Sequence, residues 1–418
     1  MKEKRDIDYP IFLSVILLVI FGSVVISSVS VYDSYRITKK LVETGVLEEP
    51  NNWRFIVRNL LQAGLWFFAL VLALKTPYLW WKKHIKIISI IVIALLVFVL
   101  VPGIGVKING ARGWFDVPGL PFSLQPTEFL KLGMILSVAA FCSQFKNFLG
   151  SITEWFVPFL GIIVLPTLLV LMQPDLGALV IILPIAVSIY FIAWGNVRVI
   201  FVLGGLALLL WVILYTLGHY SSPEDRNQFS YIYDRLNSFF QSNKTAIENN
   251  IMHHQNKQAL IAIGSGGFLG LGFGDSVQKY GYLPEPQGDF IFSVITEEWW
   301  FLGAITIISM YIYIIYRGIL IASLCDDLFG KYTAFGITVW IAWQVIINIG
   351  VNMSIFPNTG LTLPFVSYGG SSLLMMLFSI GILLSISRDI DPKRKNLKCL
   401  LYGGLGKKKN YTVHRINM

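Results

Sequence analysis

The chain alternates long apolar runs with short polar connectors, and most runs are about 18–22 residues long, enough to carry a helix across roughly 30 Å of hydrocarbon. They lack the every-second-residue alternation that a transmembrane barrel strand requires. The pattern predicts helical spans over 10–31, 55–74, 86–102, 127–144, 154–172, 176–195, 198–217, 290–316, 332–355 and 371–388. The first run is too long for the apolar core of a signal peptide and no A-x-A cleavage site follows it, so it reads as an uncleaved helix.

Composition agrees with the pattern. Of 418 residues, 55% are hydrophobic and only 14% charged, and the mean hydropathy is +0.66. A soluble domain could not keep that much apolar surface out of water. The expected fold class is an all-α polytopic membrane protein of about ten helices. Residues 1–390 form the membrane domain, with a large outward loop at 218–289 between the seventh and eighth spans, and 391–418 form a basic tail.

Net charge is +9, but the basic residues gather at alternate ends of the spans. Lys2, Lys4 and Arg5 precede the first; Lys75, Lys82, Lys83 and Lys86 separate the second from the third. Lys146, Arg198, Arg317 and Lys331 fall in later alternate loops, and the tail adds Lys393, Arg394, Lys395 and Lys398. The positive-inside rule therefore puts both termini in the cytoplasm. In the first outward loop, Arg36, Lys39, Lys40 and Arg54 are partly balanced by Glu43, Glu48 and Glu49. The charge reads as contact with anionic lipid, not with nucleic acid. Cys142, Cys325 and Cys399 give no outward disulfide framework.

This topology sends the unusual residues outward, to 32–54, 103–126, 173–175, 218–289 and 356–370. The fourth is too long for a plain connector. Within it, YIYDRLNSFF at 231–240 suits the membrane interface, and the glycine-rich 258–274 reads as a re-entrant or interfacial piece.

Ionisable groups at membrane depth are costly, which makes them functional candidates. Glu128 and Lys131 are three apart at the start of the fourth span, where an ion pair is geometrically easy. Asp175 sits in an outward turn, where turn chemistry alone could explain it. Asp289 opens the eighth span, where it could cap the helix, present a charged base, or do both. Glu297 and Glu298 follow roughly 12 Å deeper along the axis, one facing the bundle and the other a packing partner. The glycine run 264–274 fails as a nucleotide loop: Leu269 breaks GxGxxG, no GK[ST] follows and no strand precedes. His253 and His254 lack partners at zinc-ligand spacing.

Six motifs together resemble the SEDS family (shape, elongation, division and sporulation): NGARGW at 109–114, QPTEFLKL at 125–132, QPDLGALV at 173–180, QALIAIGSGG at 258–267, YLPEPQGDFIFSVITEE at 282–298, and NIGVN through GLTLPFVSYGGSS at 348–372. Members polymerise peptidoglycan from lipid II in the bacterial cytoplasmic membrane, with the active face outward. GDSVQKYGYLPE at 274–285 and Ser123 are closer to the FtsW-type division branch than to the RodA-type elongation branch. The resemblance implies a glycosyltransferase with Asp289 as catalytic acid–base residue and Arg112, Glu128, Lys131, Asp175, Glu297 and Lys279 in the substrate site. It further implies a class B penicillin-binding protein and other divisome proteins as partners. The family's usual PEAHTDFIF or PEAQTDFIF is PEPQGDFIF here, Trp299 and Trp300 replace Leu-Gly, and Gly113 replaces Arg. No S-x-x-K, S-x-N and K-T-G set supplies a transpeptidase in this chain. No cofactor is required by the motifs, although a divalent cation, magnesium or manganese, held by Asp175 or Asp289 would suit a pyrophosphate leaving group. The rival from another class is a flippase or transporter of lipid-linked sugar, in which such charges line a path and no bond is made.

Overall fold

The structure is a computed structural model and describes residues 6–108, 111–116, 122–145, 156–193, 251–267 and 270–390, with separate helical residues between 201 and 216. Most of the expected span 198–217, the interfacial segment 231–240 and the tail after 390 lie outside the described residues. The helices are α1 (Tyr9–Val29), α2 (Val31–Glu43), α3 (Arg54–Lys75), α4 (Tyr78–Lys83), α5 (Ile85–Leu100), α6 (Pro126–Gln144), α7 (Phe156–Leu171), α8 (Leu176–Ile192), α9 (Ile251–Ser265), α10 (Ile291–Leu324), α11 (Leu328–Asn352) and α12 (Gly370–Arg388). Strands β1 (Gly105–Ile108) and β2 (Ala111–Phe115) pair antiparallel between α5 and α6.

Among the described residues, six helices (α1, α3, α6, α10, α11 and α12) are long and apolar enough to cross a membrane, and α5, α7 and α8 are shorter apolar helices. The chain is a multi-pass helical membrane protein. The span expected at 290–316 runs on to Leu324, and the one expected at 332–355 covers Leu328–Asn352. Two elements were not foreseen. In the first connector, α2 buries Asp33, Ser34 and Thr38 while Lys39 and Lys40 face out, so its polar face does the packing. The β-hairpin carries Arg112 opposite Lys107.

The bundle has two distinct ends. At one, the starts of α6, α8, α10 and α12 are tied together by short side chains. Ser371 Oγ donates to Ser123 O and accepts from Gln125 N, and Gln125 Nε2 donates to the Asp175 carboxylate. Ser367, just before α12, donates to Gly288 O, just before α10. At the opposite end Asp8 caps α1 by accepting from Ile11 N at 3.2 Å, while its other oxygen meets Arg317 of α10 at 2.5 Å. Its own N–H reaches Ser387 of α12.

Without water, helices in a bilayer associate by close packing, which favours small residues at crossings. At Gly381 of α12 a Cβ would lie 2.4 Å from the Leu70 carbonyl oxygen of α3, so only glycine permits this approach.

The Asp8–Arg317 pair makes a stability prediction. Arg317→Met leaves a nearly buried carboxylate without its counter-ion and should destabilise the bundle by about 2–4 kcal/mol, read as a lower melting temperature in detergent. Adding Asp8→Asn removes the stranded charge but keeps a good helix cap, so the double variant should melt above the single one. A double variant that melts lower still would contradict the ion-pair account.

Candidate functional site

Asp289 is not the cap of α10, contrary to one reading of the sequence. The capping residue is Phe290, which makes no side-chain cap bond. The cap comes from another helix: Asn352 Oδ1 accepts from Ser293 N at 3.0 Å and from Ser293 Oγ at 2.7 Å. The first turn of α10 thus receives a side-chain acceptor from α11.

The backbone that carries Asp289 is held from outside at three consecutive carbonyls. Gln287 O accepts from Tyr368 N at 2.9 Å and Gly288 O from Ser367 Oγ at 2.7 Å. Asp289 O accepts from both Asn348 Nδ2 and Asn352 Nδ2 at 2.9 Å. Asn348 and Asn352 are one turn apart on α11, so both point at the same carbonyl. Asn348 also donates to Leu361 O, which binds the 356–369 loop into the same assembly. Asp289 itself is half-buried.

Two turns further in, α10 breaks. Trp300 has φ 51° and ψ −151°, outside the helical region. A break at membrane depth frees carbonyls that lipid cannot satisfy. Here Leu271 N donates to Glu297 O at 3.0 Å and Gly272 N to Glu298 O at 3.1 Å. The approach is possible because residues 266 and 270 are glycine; a Cβ at either would lie 2.4 Å from a carbonyl oxygen of Thr296 or Glu298. The glycine run is therefore a plug for a broken helix.

Both glutamates beside the break are buried and engaged by their own chain. Glu297 accepts from Ser276 Oγ at 2.5 Å and Val277 N at 3.0 Å. Glu298 meets Lys279 Nζ at 2.8 Å and Ser28 Oγ of α1 at 2.7 Å. Lys279 also donates to Gly274 O. Glu297, Glu298 and Lys279 thus fold the segment 274–279 onto α10.

The α6–α8 corner gathers three further sequence candidates. Asp175 caps α8 by accepting from Ala178 N at 2.9 Å, and its second oxygen accepts from Gln125 Nε2 at 3.0 Å and Thr127 Oγ1 at 2.9 Å. One residue on from Thr127, Glu128 pairs with Lys131 at 2.7 Å, both nearly buried, and the Lys131 ammonium lies over the Trp340 ring. Gly177, in the first turn of α8, packs against Thr359 O and Leu361, so this corner joins the loop that Asn348 holds. Both oxygens of Asp175 are thus engaged by hydrogen bonds from its own chain. Among the described residues no three His, Cys, Asp or Glu side chains cluster as a metal site.

Arg112 reaches Leu100 O at the end of α5, while its Nε is buried without a hydrogen-bond partner. Three other buried atoms from separate motifs are in the same position: Glu128 Oε2, Gln173 Oε1 and Gln287 Oε1. These are four of fourteen such buried atoms among the described residues; buried polar atoms are normally bonded, so each could bond a ligand group or an ordered water.

Sequence reasoning missed the supporting groups. Asn348 and Asn352 carried a signal, two amides four apart in an apolar helix. So did Arg58, a charge inside the second span. It faces the Tyr368 hydroxyl together with Gln62, with Arg54 nearby, and burial pushes that hydroxyl above its ordinary range although the arginines oppose the shift.

A family model described as "Cell cycle protein", covering FtsW, RodA and SpoVE, matches residues 9–391. The stage V sporulation protein E of Bacillus subtilis is 36% identical, across 92% of this chain and 98% of that protein. A probable peptidoglycan glycosyltransferase FtsW of Trichlorobacter lovleyi is 34% identical, across 92% of this chain and 94% of its own length. The crystal structure of the rod shape determining protein RodA of Thermus thermophilus superposes with a TM-score of 0.62 at 25% identity, across 92% of this chain and 97% of that one. A match running nearly end to end, with relatives of almost the same length, places this chain in the FtsW, RodA and SpoVE family of cell cycle proteins.

Proposed function

We propose that this protein is a peptidoglycan glycosyltransferase that polymerises lipid II at the outer face of the bacterial cytoplasmic membrane, with both termini and the basic tail inside. What supports this reading is the family match over residues 9–391, together with one end of the bundle where the backbone at Asp289 is clamped and where Arg112, Glu128, Gln173 and Gln287 are among the residues with a buried polar atom lacking a protein partner. Each such atom costs roughly 1–3 kcal/mol when left unbonded. A sugar rich in hydroxyl and amide groups would satisfy them, and lipid tails would not.

In the reaction, a hydroxyl of one lipid-linked disaccharide attacks the sugar carbon that bears the pyrophosphate of another. The carbon–oxygen bond to pyrophosphate breaks with its electron pair on the leaving group, and the hydroxyl proton must go elsewhere. Asp289 is the proton acceptor. It lies at the start of α10, where the helix dipole favours negative charge, and its backbone carbonyl is fixed by Asn348 and Asn352. The leaving pyrophosphate gains negative charge, which Arg112, Arg54 and Arg58 can neutralise. The start of α12, which lacks a side-chain cap, adds helix N-terminal amides of the kind that suit a phosphate. Were a divalent cation bound, Asp289 or Asp175 could help hold it, and it would neutralise charge developing on the leaving pyrophosphate.

In this reading Glu128, Lys131 and Asp175 shape the corner that receives the sugar, Lys131 reaching it only by leaving Glu128. Glu297 and Lys279 act at one remove, by keeping the broken helix plugged. A septal role with a class B penicillin-binding protein as partner follows from the division-type motifs. A RodA-like elongation role is the alternative, and the growth defect of a deletion strain, filaments or spheres, separates the two.

Two outcomes are expected with purified protein and labelled lipid II. Asp289→Asn should lower polymer formation by about 10²–10⁴-fold, the worth of a general base, while the protein keeps its elution profile; normal polymer on a gel would remove Asp289 from the chemistry. Asn352→Ala should lower kcat by about 10–100-fold through misplacement of the acid, and the Asn348→Ala, Asn352→Ala double variant should lose more. Unchanged kcat in both would show that the carbonyl clamp is not needed.

A further inference from the structure

On the side formed by α5, α6 and α7 lies a second feature, a cavity of about 570 Å³ that runs from Leu130 and Gly133 of α6 to Lys86 and Gln144 at the end opposite Asp289, within the range of small-ligand sites. It is lined by Lys86 and Ser89 from the first turns of α5, Ser137 and Gln144 from the second half of α6, and Pro158 and Gly161 from the start of α7. The remaining wall is aliphatic and aromatic. The two serines do not ask for a polar guest, because Ser89 Oγ donates to Ile85 O and Ser137 Oγ to Gly133 O within their own helices. They also touch each other at 3.0 Å.

The cavity exists in part because residue 161 is glycine, where a Cβ would meet nothing within 4 Å. The surrounding solvent at this depth is lipid. Among the lining residues only Lys86 is charged, and it is exposed at the mouth, next to Lys82 and Lys83 of α4. An apolar hollow with a cationic rim matches an amphiphile whose tail is hydrocarbon and whose head is anionic.

We propose that this cavity binds one anionic diacyl phospholipid, with an acyl chain in the hollow and the phosphate on Lys86. The site is distinct from the Asp289 end, and its existence does not depend on the polymerase reading. A prenyl phosphate would share the chemistry of head and tail, but the basic cluster at α4 and α5 suits the glycerophospholipids that surround it in bulk.

The test is native mass spectrometry of the full chain after reconstitution into phosphatidylcholine vesicles containing phosphatidylglycerol and re-extraction in mild detergent. One phosphatidylglycerol should remain per chain. Gly161→Leu, which fills the hollow without a clash, should abolish retention. Lys86→Gln, at an exposed position that leaves the core untouched, should weaken the preference over phosphatidylcholine roughly fivefold, the effect of one lysine near a charged surface. Equal retention in Gly161→Leu, a polyprenyl phosphate adduct from cells that Gly161→Leu removes while Asp289→Asn does not, or no retained lipid in the unaltered chain would each overturn the proposal.

Discussion

A backbone group inside a bilayer has no water to bond to, and the irregular turns around Asp289 and Trp300 are governed by that constraint. Regular helix satisfies itself; these turns do not. Carbonyls 287, 288 and 289 each depend on a donor from another segment, and the broken turn at Trp300 depends on amides from a glycine loop. The asparagines, serines and glycines that look incidental in the sequence are the groups that make non-helical backbone tolerable at this depth. Their placement also fixes the backbone from which Asp289 projects.

The same constraint separates two kinds of buried charge. Asp175, Glu297, Glu298 and Lys279 are saturated by groups of their own chain, so their contribution is to geometry. Arg112 and Glu128 each retain an unbonded buried atom, which is costly unless a ligand completes it. Charge count alone would have ranked the first group above the second, because two adjacent glutamates inside a span attract notice. Hydrogen-bond accounting reverses that order.

Much of the architecture was legible from the sequence because span length is set by bilayer thickness, so the apolar runs locate most helices to within a few residues. The ends were less legible: α10 extends to Leu324 past Arg317, since that arginine has Asp8 as a partner. The helix α2 was missed because its buried face is polar, and the hairpin because its strands are short. Of the site, the acids and Arg112 were legible as charges in apolar surroundings or through the family motifs. The cap on α10 was not, because the accepting side chain sits 59 residues from the amide it serves, a pairing that no local pattern encodes.

The account rests on the Asp289 carboxylate meeting the hydroxyl that attacks, in a pocket completed by sugar and peptide groups. A structure of the protein with a non-hydrolysable lipid II analogue in the acceptor position measures this most directly. The account predicts the acceptor hydroxyl about 2.6–3.2 Å from an Asp289 oxygen, with ligand groups bonded to Arg112 and to at least one of Glu128, Gln173 and Gln287. An analogue seated elsewhere in the bundle, with the Asp289 carboxylate turned away from every ligand hydroxyl and those atoms still unbonded, would contradict it.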